Sequence, residues 1–311
     1  MFLKYVLRSS AVLSRVACGL VALAAALAGC GGSERIGSGQ RVIAAFYPLA
    51  FAAERIAPGA DVTNLTPAGA EPHDLELSAR DVEAIGEADL VLYLGAGFMP
   101  ALEDATRGRE NGLDLLEGLD LREGADAHGH EGEEEEKAAG EEEEADLDPH
   151  VWLDPMRYAA LVRELEDALG EPGAADVLVA ELEALDTELR EGLERCERRQ
   201  IVTSHAAFGY LADAYELEQI PLTGLSPEVE PSARAIEELV DEVREGRATT
   251  VFFETLVSPK LAETVAREAG VRTAVLNPLE GLTAEEIERG EDYFSVMRDN
   301  LAVLREALGC T

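Results

Sequence analysis

Short apolar runs rich in β-branched residues alternate with helix-like segments along this chain, and this alternation constrains the fold more than any other feature. In the first half the runs are 41–47 (RVIAAFY), 60–66 (ADVTNLT) and 88–94 (ADLVLYL). Runs of this kind, bounded by Pro or Gly, are typical of buried strands that are joined by helices. The first half therefore predicts a lobe of βαβ units.

The same alternation returns after residue 199. Because alternating strands and helices build parallel sheets, the sequence predicts an α/β fold with two Rossmann-like lobes, 41–155 and 199–311. The predicted strands of the second lobe are 201–204 (IVTS), 249–253 (TTVFF) and 271–276 (VRTAVL), and its predicted helices are 206–215, 232–245 and 259–269.

The stretch between the lobes, 156–198, is predicted to be a helical connector. After an amphipathic segment at 156–169, leucines recur at spacings of 4, 3, 4 and 4 residues, as Leu178, Leu182, Leu185, Leu189 and Leu193. A helix over 174–197 would be about 36 Å long, enough to join both lobes as one long rigid rod. A plain surface helix within one lobe is the alternative.

Acidic side chains outnumber basic ones by 63 to 26, which gives a formal net charge of −37. This charge repels nucleic acid and anionic membrane surfaces, and so argues against a role in binding DNA or RNA. Much of it lies in 125–147, which holds nine glutamates, two aspartates, His128 and His130 but almost no large apolar group. A solvated acidic loop is predicted there.

The first 29 residues are predicted to be a lipoprotein signal peptide. Three basic residues precede the apolar run 16–28, which is too short to span a bilayer but suits a signal-peptide core. The run ends in Leu-Ala-Gly-Cys30, which is similar to the bacterial lipobox, where the cysteine becomes the lipidated first residue. Residues 30–40 then read as a flexible tether. An ordinary secretory signal with an incidental cysteine is the alternative.

Two cysteines, Cys196 and Cys310, remain in the body of the exported protein. An oxidising compartment allows a disulfide bond to persist, and we hypothesise that these two residues pair. Two small buried thiols are the alternative.

The placement of the histidines is the most informative feature for function. His73, His150 and His205 each fall at the boundary of a predicted strand or loop, and His205 directly follows the run IVTS. In open α/β sheets ligands bind at the carboxyl ends of the strands. A single histidine of this kind is more often a hydrogen-bonded structural residue, but three at comparable positions favour a metal site.

A fourth ligand is offered by Glu280, just beyond the last predicted strand. Three imidazoles and one carboxylate suit tetrahedral Zn²⁺. Manganese prefers more oxygen ligands, and copper binds imidazole-rich sites tightly, so the ligand types alone leave the metal open.

Four motifs resemble the metal-site motifs of one family, the zinc and manganese solute-binding receptors of bacterial ABC importers. They are EPHDLE (71–76), DPHVWLDP (148–155), TSHAAFGYLA (203–212) and VLNPLEGLT (275–283). The resemblance implies two α/β lobes joined by a long rigid helix, with the metal in the cleft between them. It also implies two ligands from each lobe, His73 and His150 from the first, and His205 and Glu280 from the second.

The same resemblance implies an extracytoplasmic, lipid-anchored monomer that captures Zn²⁺ and delivers it to an ABC permease whose ATPase is a separate chain. Manganese-preferring relatives usually carry a carboxylate where this chain has His205, which favours zinc. The family often has an aspartate near Asn277, where this chain has an amide. A manganese receptor or a metal-binding surface adhesin is the alternative within the family.

Zinc-specific relatives often carry an acidic loop with histidines between the first two ligand motifs. His128 and His130 are therefore candidate auxiliary metal ligands, and a solubilising charge run is the alternative. Acidic residues next to the ligands are candidate hydrogen-bond partners of the imidazole N–H groups, namely Glu71, Asp74, Asp148 and Asp154.

A zinc hydrolase is the rival from another functional class, but no catalytic motif supports it. His130-Glu131 is followed by Glu134 where an H-E-x-x-H motif needs its second histidine. The segment 224–228 (GLSPE) lacks the second glycine of a nucleophile elbow, and 95–98 (GAGF) lacks the third glycine of a dinucleotide fingerprint. We therefore expect a receptor and not an enzyme.

Overall fold

The computed structural model describes residues 39–124, 147–228 and 231–311. The predicted signal peptide, Cys30 and the loop histidines His128 and His130 lie outside these residues. Among the residues described, no helix combines the length and the apolar character that crossing a bilayer requires.

The first half folds around a parallel four-stranded sheet with the strand order β2-β1-β3-β4. Val42 on the first strand pairs with Val62 on one side and Leu90 on the other. Three of the strands lie within the predicted runs, whereas β4 was not predicted because its three residues, GLD, contain one apolar side chain. The strands are β1 (Arg41–Ala44), β2 (Asp61–Asn64), β3 (Leu90–Tyr93) and β4 (Gly112–Asp114).

The second half contains a matching parallel sheet with the order β6-β5-β7-β8. The strand β6 was not predicted, because EQIP has neither apolar alternation nor a continuous apolar run. The prediction of an α/β fold with two parallel-sheet lobes is confirmed. The strands are β5 (Gln200–Thr203), β6 (Glu218–Pro221), β7 (Thr250–Phe253) and β8 (Arg272–Val275).

Helices cover both sheets and fill the region between them. In the first half they are α1 (Tyr47–Ile56), α2 (Ala79–Glu87), α3 (Pro100–Thr106), α4 (Pro155–Leu169) and α5 (Asp176–Leu193). In the second half they are α6 (Gly209–Ala214), α7 (Ala233–Glu245), α8 (Lys260–Ala269), α9 (Ala284–Glu288) and α10 (Tyr293–Leu308).

The leucine stripe predicted between the lobes is buried on α5. Its five leucines, Leu178 through Leu193, are at most 2% exposed, and the helix packs against α1 and α4 from the first half and α10 from the second. The predicted helix 174–197 is too long at both ends. The observed 18 residues span about 27 Å.

Two apolar cores hold the fold together. The larger core includes α1, α4, α5 and α10, and the smaller one lies between the second sheet and helices α7 and α8. Cys196 lies shortly after α5 and Cys310 directly after the C-cap of α10, and a disulfide bond joins them. The bond links the end of the leucine-striped helix to the end of the chain.

Candidate metal centre

The ends of the strands position the predicted ligands. His205 follows β5 after a single serine and precedes a 3-10 turn at Ala206–Phe208. His73 lies in the loop between β2 and α2, and His150 precedes a 3-10 turn at Val151–Leu153. Glu280 lies in the loop between β8 and α9. The two halves of the chain thus bring four distant side chains to one place.

Three imidazole nitrogens and one carboxylate oxygen converge there. His205 Nε2 lies 3.1 Å from Glu280 Oε1 and 3.4 Å from His150 Nε2. Glu280 Oε1 lies 3.4 Å from His150 Nε2 and 3.5 Å from His73 Nε2. Four ligands placed about 2.0–2.1 Å from a zinc ion form a tetrahedron whose edges are about 3.3–3.4 Å long. These four of the six pairwise separations lie close to the edges of a zinc coordination tetrahedron, and all four donor atoms lie within 4.8 Å of one another.

The ligand atoms are closed off from solvent. The side chains of His150 and His205 are 0% exposed, and His73 is the most exposed of the four at 7%. The backbone N–H of Gly69 donates to the carbonyl of Leu282 at 2.9 Å, which joins the loops that carry His73 and Glu280. An ion consequently reaches the centre only when a part of this cover moves.

Buried polar atoms without a partner mark the same place. His73 Nε2 and Glu280 Oε2 are buried and have no hydrogen-bond partner among the described residues. An unpartnered buried polar atom costs about 1–3 kcal/mol. A bound cation would remove this cost, because both atoms have free lone pairs for a metal.

The electrostatics of the centre favour positive charge. Burial opposes the ionisation of Glu280, but the imidazoles beside it, His205 first, hold the pKa of its carboxyl well below the usual value. Burial likewise opposes a charge on His205, yet Glu254 and Glu280 raise the pKa of its imidazole well above normal. Burial lowers the pKa of His73. Glu280 therefore stays ionised, and cations are stabilised next to it.

Two ligand imidazoles are held by carboxylates on their far side. His150 Nδ1 lies 2.8 Å from Asp148 Oδ1, one of the candidate acidic partners. His205 Nδ1 lies 2.7 Å from Glu254 Oε1. Such hydrogen bonds fix the ring orientation, leave Nε2 free for a metal, and raise its basicity.

Glu254 was missed by the sequence analysis. It directly follows β7, where TTVFF ends, and its side chain is 2% exposed. The signal that could have found it is the rule that was applied to His205, since both residues lie at the carboxyl end of a central strand of the same sheet.

The other predicted acidic partners have different contacts. Glu71 accepts from the backbone N–H groups of His73 and Asp74 at 3.2 Å, and burial, followed by Glu280, raises its pKa to about 8. Asp74 and Glu71 lie beside Glu228. Asp154 was predicted as a partner of an imidazole N–H group. Its carboxylate instead caps α4 by accepting from the backbone N–H of Met156 at 2.8 Å.

The amide of Asn277 shapes the loop that presents Glu280. Its Oδ1 accepts from the backbone N–H of Leu279 at 2.8 Å, and its Nδ2 donates to Glu286 at 3.1 Å. Leu279 has a φ of 58°, a left-handed conformation that is uncommon for residues other than glycine. Asn277 thus supports a strained turn directly before Glu280, which explains why an amide stands at this position.

Three aromatic rings, Phe46, Phe98 and Trp152, form a buried cluster beside the first-half histidines, which we call the aromatic wall. The Phe46 ring lies 4.8 Å from both other rings, and the Phe98 and Trp152 rings lie 5.5 Å apart. Trp152 Nε1 donates to the carbonyl of Pro278 at 2.8 Å. The wall is therefore tied to the loop of Glu280 as well as packed on histidine rings.

Comparison with known proteins points to one family. The sequence profile described as "Zinc-uptake complex component A periplasmic" (ZnuA) matches residues 42–307. The chain is 35% identical over 301 residues to the zinc-binding lipoprotein AdcA of Streptococcus pneumoniae serotype 4, covering 90% of this chain but 58% of that protein. It is 34% identical over 308 residues to the high-affinity zinc uptake system protein ZnuA of Bacillus subtilis, covering 91% and 93% of the two chains.

Solved structures have the same fold. The Zn(II)-bound ZnuA-like domain of S. pneumoniae AdcA superposes with a TM-score of 0.69 at 33% identity, covering 87% of this chain and 99% of that one. The laminin binding protein of Streptococcus agalactiae, described as bifunctional with adhesin and metal transporting activity, gives a TM-score of 0.72 at 28% identity, with coverage of 87% and 100%. The chain spans 58% of the length of full AdcA.

Proposed function

Because this chain belongs to the family of periplasmic zinc-uptake components, we propose that it is an extracytoplasmic receptor that captures Zn²⁺ and delivers it to an ABC permease. The family is one of solute-binding receptors and not of enzymes. We propose His73, His150, His205 and Glu280 as the ligands of the transported ion. The observation that supports this most strongly is the convergence of their four donor atoms, which lie within 4.8 Å of one another.

The charge of the centre also supports a divalent cation as the cargo. Glu280, Asp148 and Glu254 are three buried carboxylates that face neutral or protonated imidazoles. Arg122 Nη1 lies 3.8 Å from Asp148 Oδ2, so with neutral imidazoles the three carboxylates and this guanidinium carry a formal charge of about −2, which is costly in a buried site. A doubly charged ion offsets this charge, so zinc and the buried carboxylates stabilise each other.

Elemental analysis of the purified protein, followed by competition titration with Zn²⁺, Mn²⁺ and Cu²⁺, tests the proposed cargo. We expect one tightly bound zinc per chain and a preference for zinc over manganese. Growth of a deletion strain at limiting zinc tests delivery. Tight manganese binding with weak zinc binding would instead support the manganese receptor.

We also propose that the receptor is held at the membrane by an acyl chain on Cys30. The lipobox-like sequence and the description of AdcA as a lipoprotein support this. We expect the mature protein to partition into the detergent phase and the Cys30→Ser variant to remain in the aqueous phase. A Cys30→Ser variant that still partitions into detergent would contradict the acyl anchor.

A surface adhesin is the second candidate function. The similarity to a laminin binding protein that also transports metal supports it, and the two functions are compatible in one chain. Binding of immobilised laminin by the purified protein, with albumin as the control surface, distinguishes them.

Replacing Glu254 with glutamine is expected to weaken zinc binding about tenfold. The amide still accepts a hydrogen bond from His205 Nδ1 but removes the negative charge that makes this imidazole a stronger ligand. Titration against a chelating zinc indicator measures the change. Glu83→Gln, on the exposed face of α2, is the matched control, and equal affinity of the two variants would contradict the role of Glu254.

Replacing Trp152 with phenylalanine is expected to weaken zinc binding several-fold, because the ring remains while the donor to Pro278 is lost. The free energy of unfolding should fall by about 1–3 kcal/mol. Tyr158→Phe is the matched control, since Tyr158 donates to the carbonyl of Pro48 at 2.6 Å and both residues are buried. The control should lose similar stability and keep its zinc affinity. Equal zinc affinity in both variants would refute a role of Trp152 in holding the Glu280 loop.

A further inference from the structure

The segment 95–98 (GAGF) is a strained turn that the proposed function leaves unexplained. Ala96 and Gly97 follow each other in the left-handed region, with φ values of 60° and 77°. Gly95 donates its N–H to Asp114 Oδ1 at 2.9 Å, and a Cβ at Gly95 would lie 2.3 Å from Asp114 Oδ2. Backbone strain of this kind is concentrated at functional sites. We therefore ask which side chain this turn positions.

The turn presents the ring of Phe98 to the metal centre. Phe98 is 1% exposed, and its ring lies edge to face with His73, with the ring centres 4.6 Å apart. The same ring lies 6.0 Å from His150. Phe98 thus contacts both proposed ligand imidazoles of the first half, whereas His150 is the one of these two imidazoles among the described ring contacts of Trp152.

Zinc and manganese differ in the number of ligands they take. Zinc is satisfied by four ligands in a tetrahedron, whereas manganese prefers six, mostly oxygen. Among the described His, Cys, Asp and Glu side chains the cluster has four members, and Glu280 Oε2 is an unpartnered oxygen of one of them, so we expect further ligands for manganese to be water. A water ligand needs a space of at least about 10–15 Å³ next to the ion.

The aromatic wall borders the centre on the side of His73 and His150, where its rings contact both imidazoles. Its three rings pack with centres 4.8–5.5 Å apart, which is the spacing of aromatic rings in direct contact. We propose that Phe98 is a specificity-determining residue, whose ring excludes water from the coordination sphere and thereby favours four-coordinate zinc over six-coordinate manganese. The inference rests on the proposed function, and the strained turn at Ala96 is the structural cost of placing the ring there.

Replacing Phe98 with alanine tests the inference. We expect the ratio of zinc to manganese affinity to fall about tenfold or more, because the cavity admits water. A purely structural role would weaken both metals by the same factor and leave the ratio unchanged. Phe98→Leu, which keeps most of the apolar volume, should give an intermediate ratio, and it carries the test if the alanine variant does not fold.

Cobalt substitution gives an independent readout of the coordination number, because tetrahedral Co²⁺ absorbs visible light far more strongly than octahedral Co²⁺. The Phe98→Ala protein should lose intensity, and Phe294→Ala, which removes a buried ring outside the aromatic wall, should keep it. If both Phe98 variants keep the ratio of zinc to manganese affinity and the cobalt spectrum, the specificity role of Phe98 is refuted and the proposed function is not affected. Failure of the unmodified protein to bind zinc would overturn the proposed function itself.

Discussion

Replacing His205 with alanine is expected to weaken zinc binding by at least about a hundredfold. Loss of an outer hydrogen-bond partner of a ligand already costs about 10–100-fold in metal affinity, and here the ligand itself is lost. The substitution also leaves Glu254 and Glu280 buried without the imidazole that lies between them. His205 Nδ1 is hydrogen bonded to the buried Glu254 of its own half, and His205 Nε2 lies 3.4 Å from His150 Nε2 of the first half.

Competition titration against a chelator of known affinity measures this loss. Tyr158→Phe serves as the control, because it removes a buried hydrogen bond in the first half without touching a proposed ligand. A His205→Ala protein that binds zinc as tightly as the unmodified one would remove His205 from the ligand set, and with it the proposed tetrahedron.

Replacing both Cys196 and Cys310 with serine is expected to lower the free energy of unfolding by about 2–5 kcal/mol. The bond closes a loop with a sequence separation of 114 residues, which restricts the unfolded chain strongly. Urea denaturation measures the effect as a lower midpoint. The zinc affinity should be retained, because the disulfide bond lies near the C-terminal ends of α5 and α10 and not at the proposed ligands.

Reduction of the unmodified protein provides the second arm of this experiment. In the presence of a reducing agent, the urea midpoint of the unmodified protein should approach that of the double variant. The urea midpoint of the double variant should not change when the reducing agent is added. Two reactive thiols in the denatured, unreduced mature protein would contradict the bond.

The elements whose signal is local were predictable from the sequence. Six of the eight strands lie in or overlap the short runs that were predicted as strands. The strands β4 and β6 were missed because they are short and polar. They belong to their sheets through pairing with β3 and β5, and pairing between distant segments leaves no trace in a local pattern.

The candidate site was predictable to a similar degree. His73, His150, His205 and Glu280 stand in motifs, and the structure brings their donor atoms together. Which carboxylate meets which imidazole could not be read from neighbouring positions. Asp154 is close to His150 in sequence but caps a helix, whereas Glu254 is 49 residues from His205 and meets it in space.

Trp152 is the single tryptophan of the chain, and its position makes the intrinsic fluorescence of the protein a probe of the metal centre. The indole lies 5.2 Å from the ring of His150 and is bonded to the loop of Glu280, so its emission responds to both halves of the centre at once. Metal arrival and departure can therefore be timed by stopped-flow fluorescence on the unlabelled protein, including the proposed transfer of the ion to a permease.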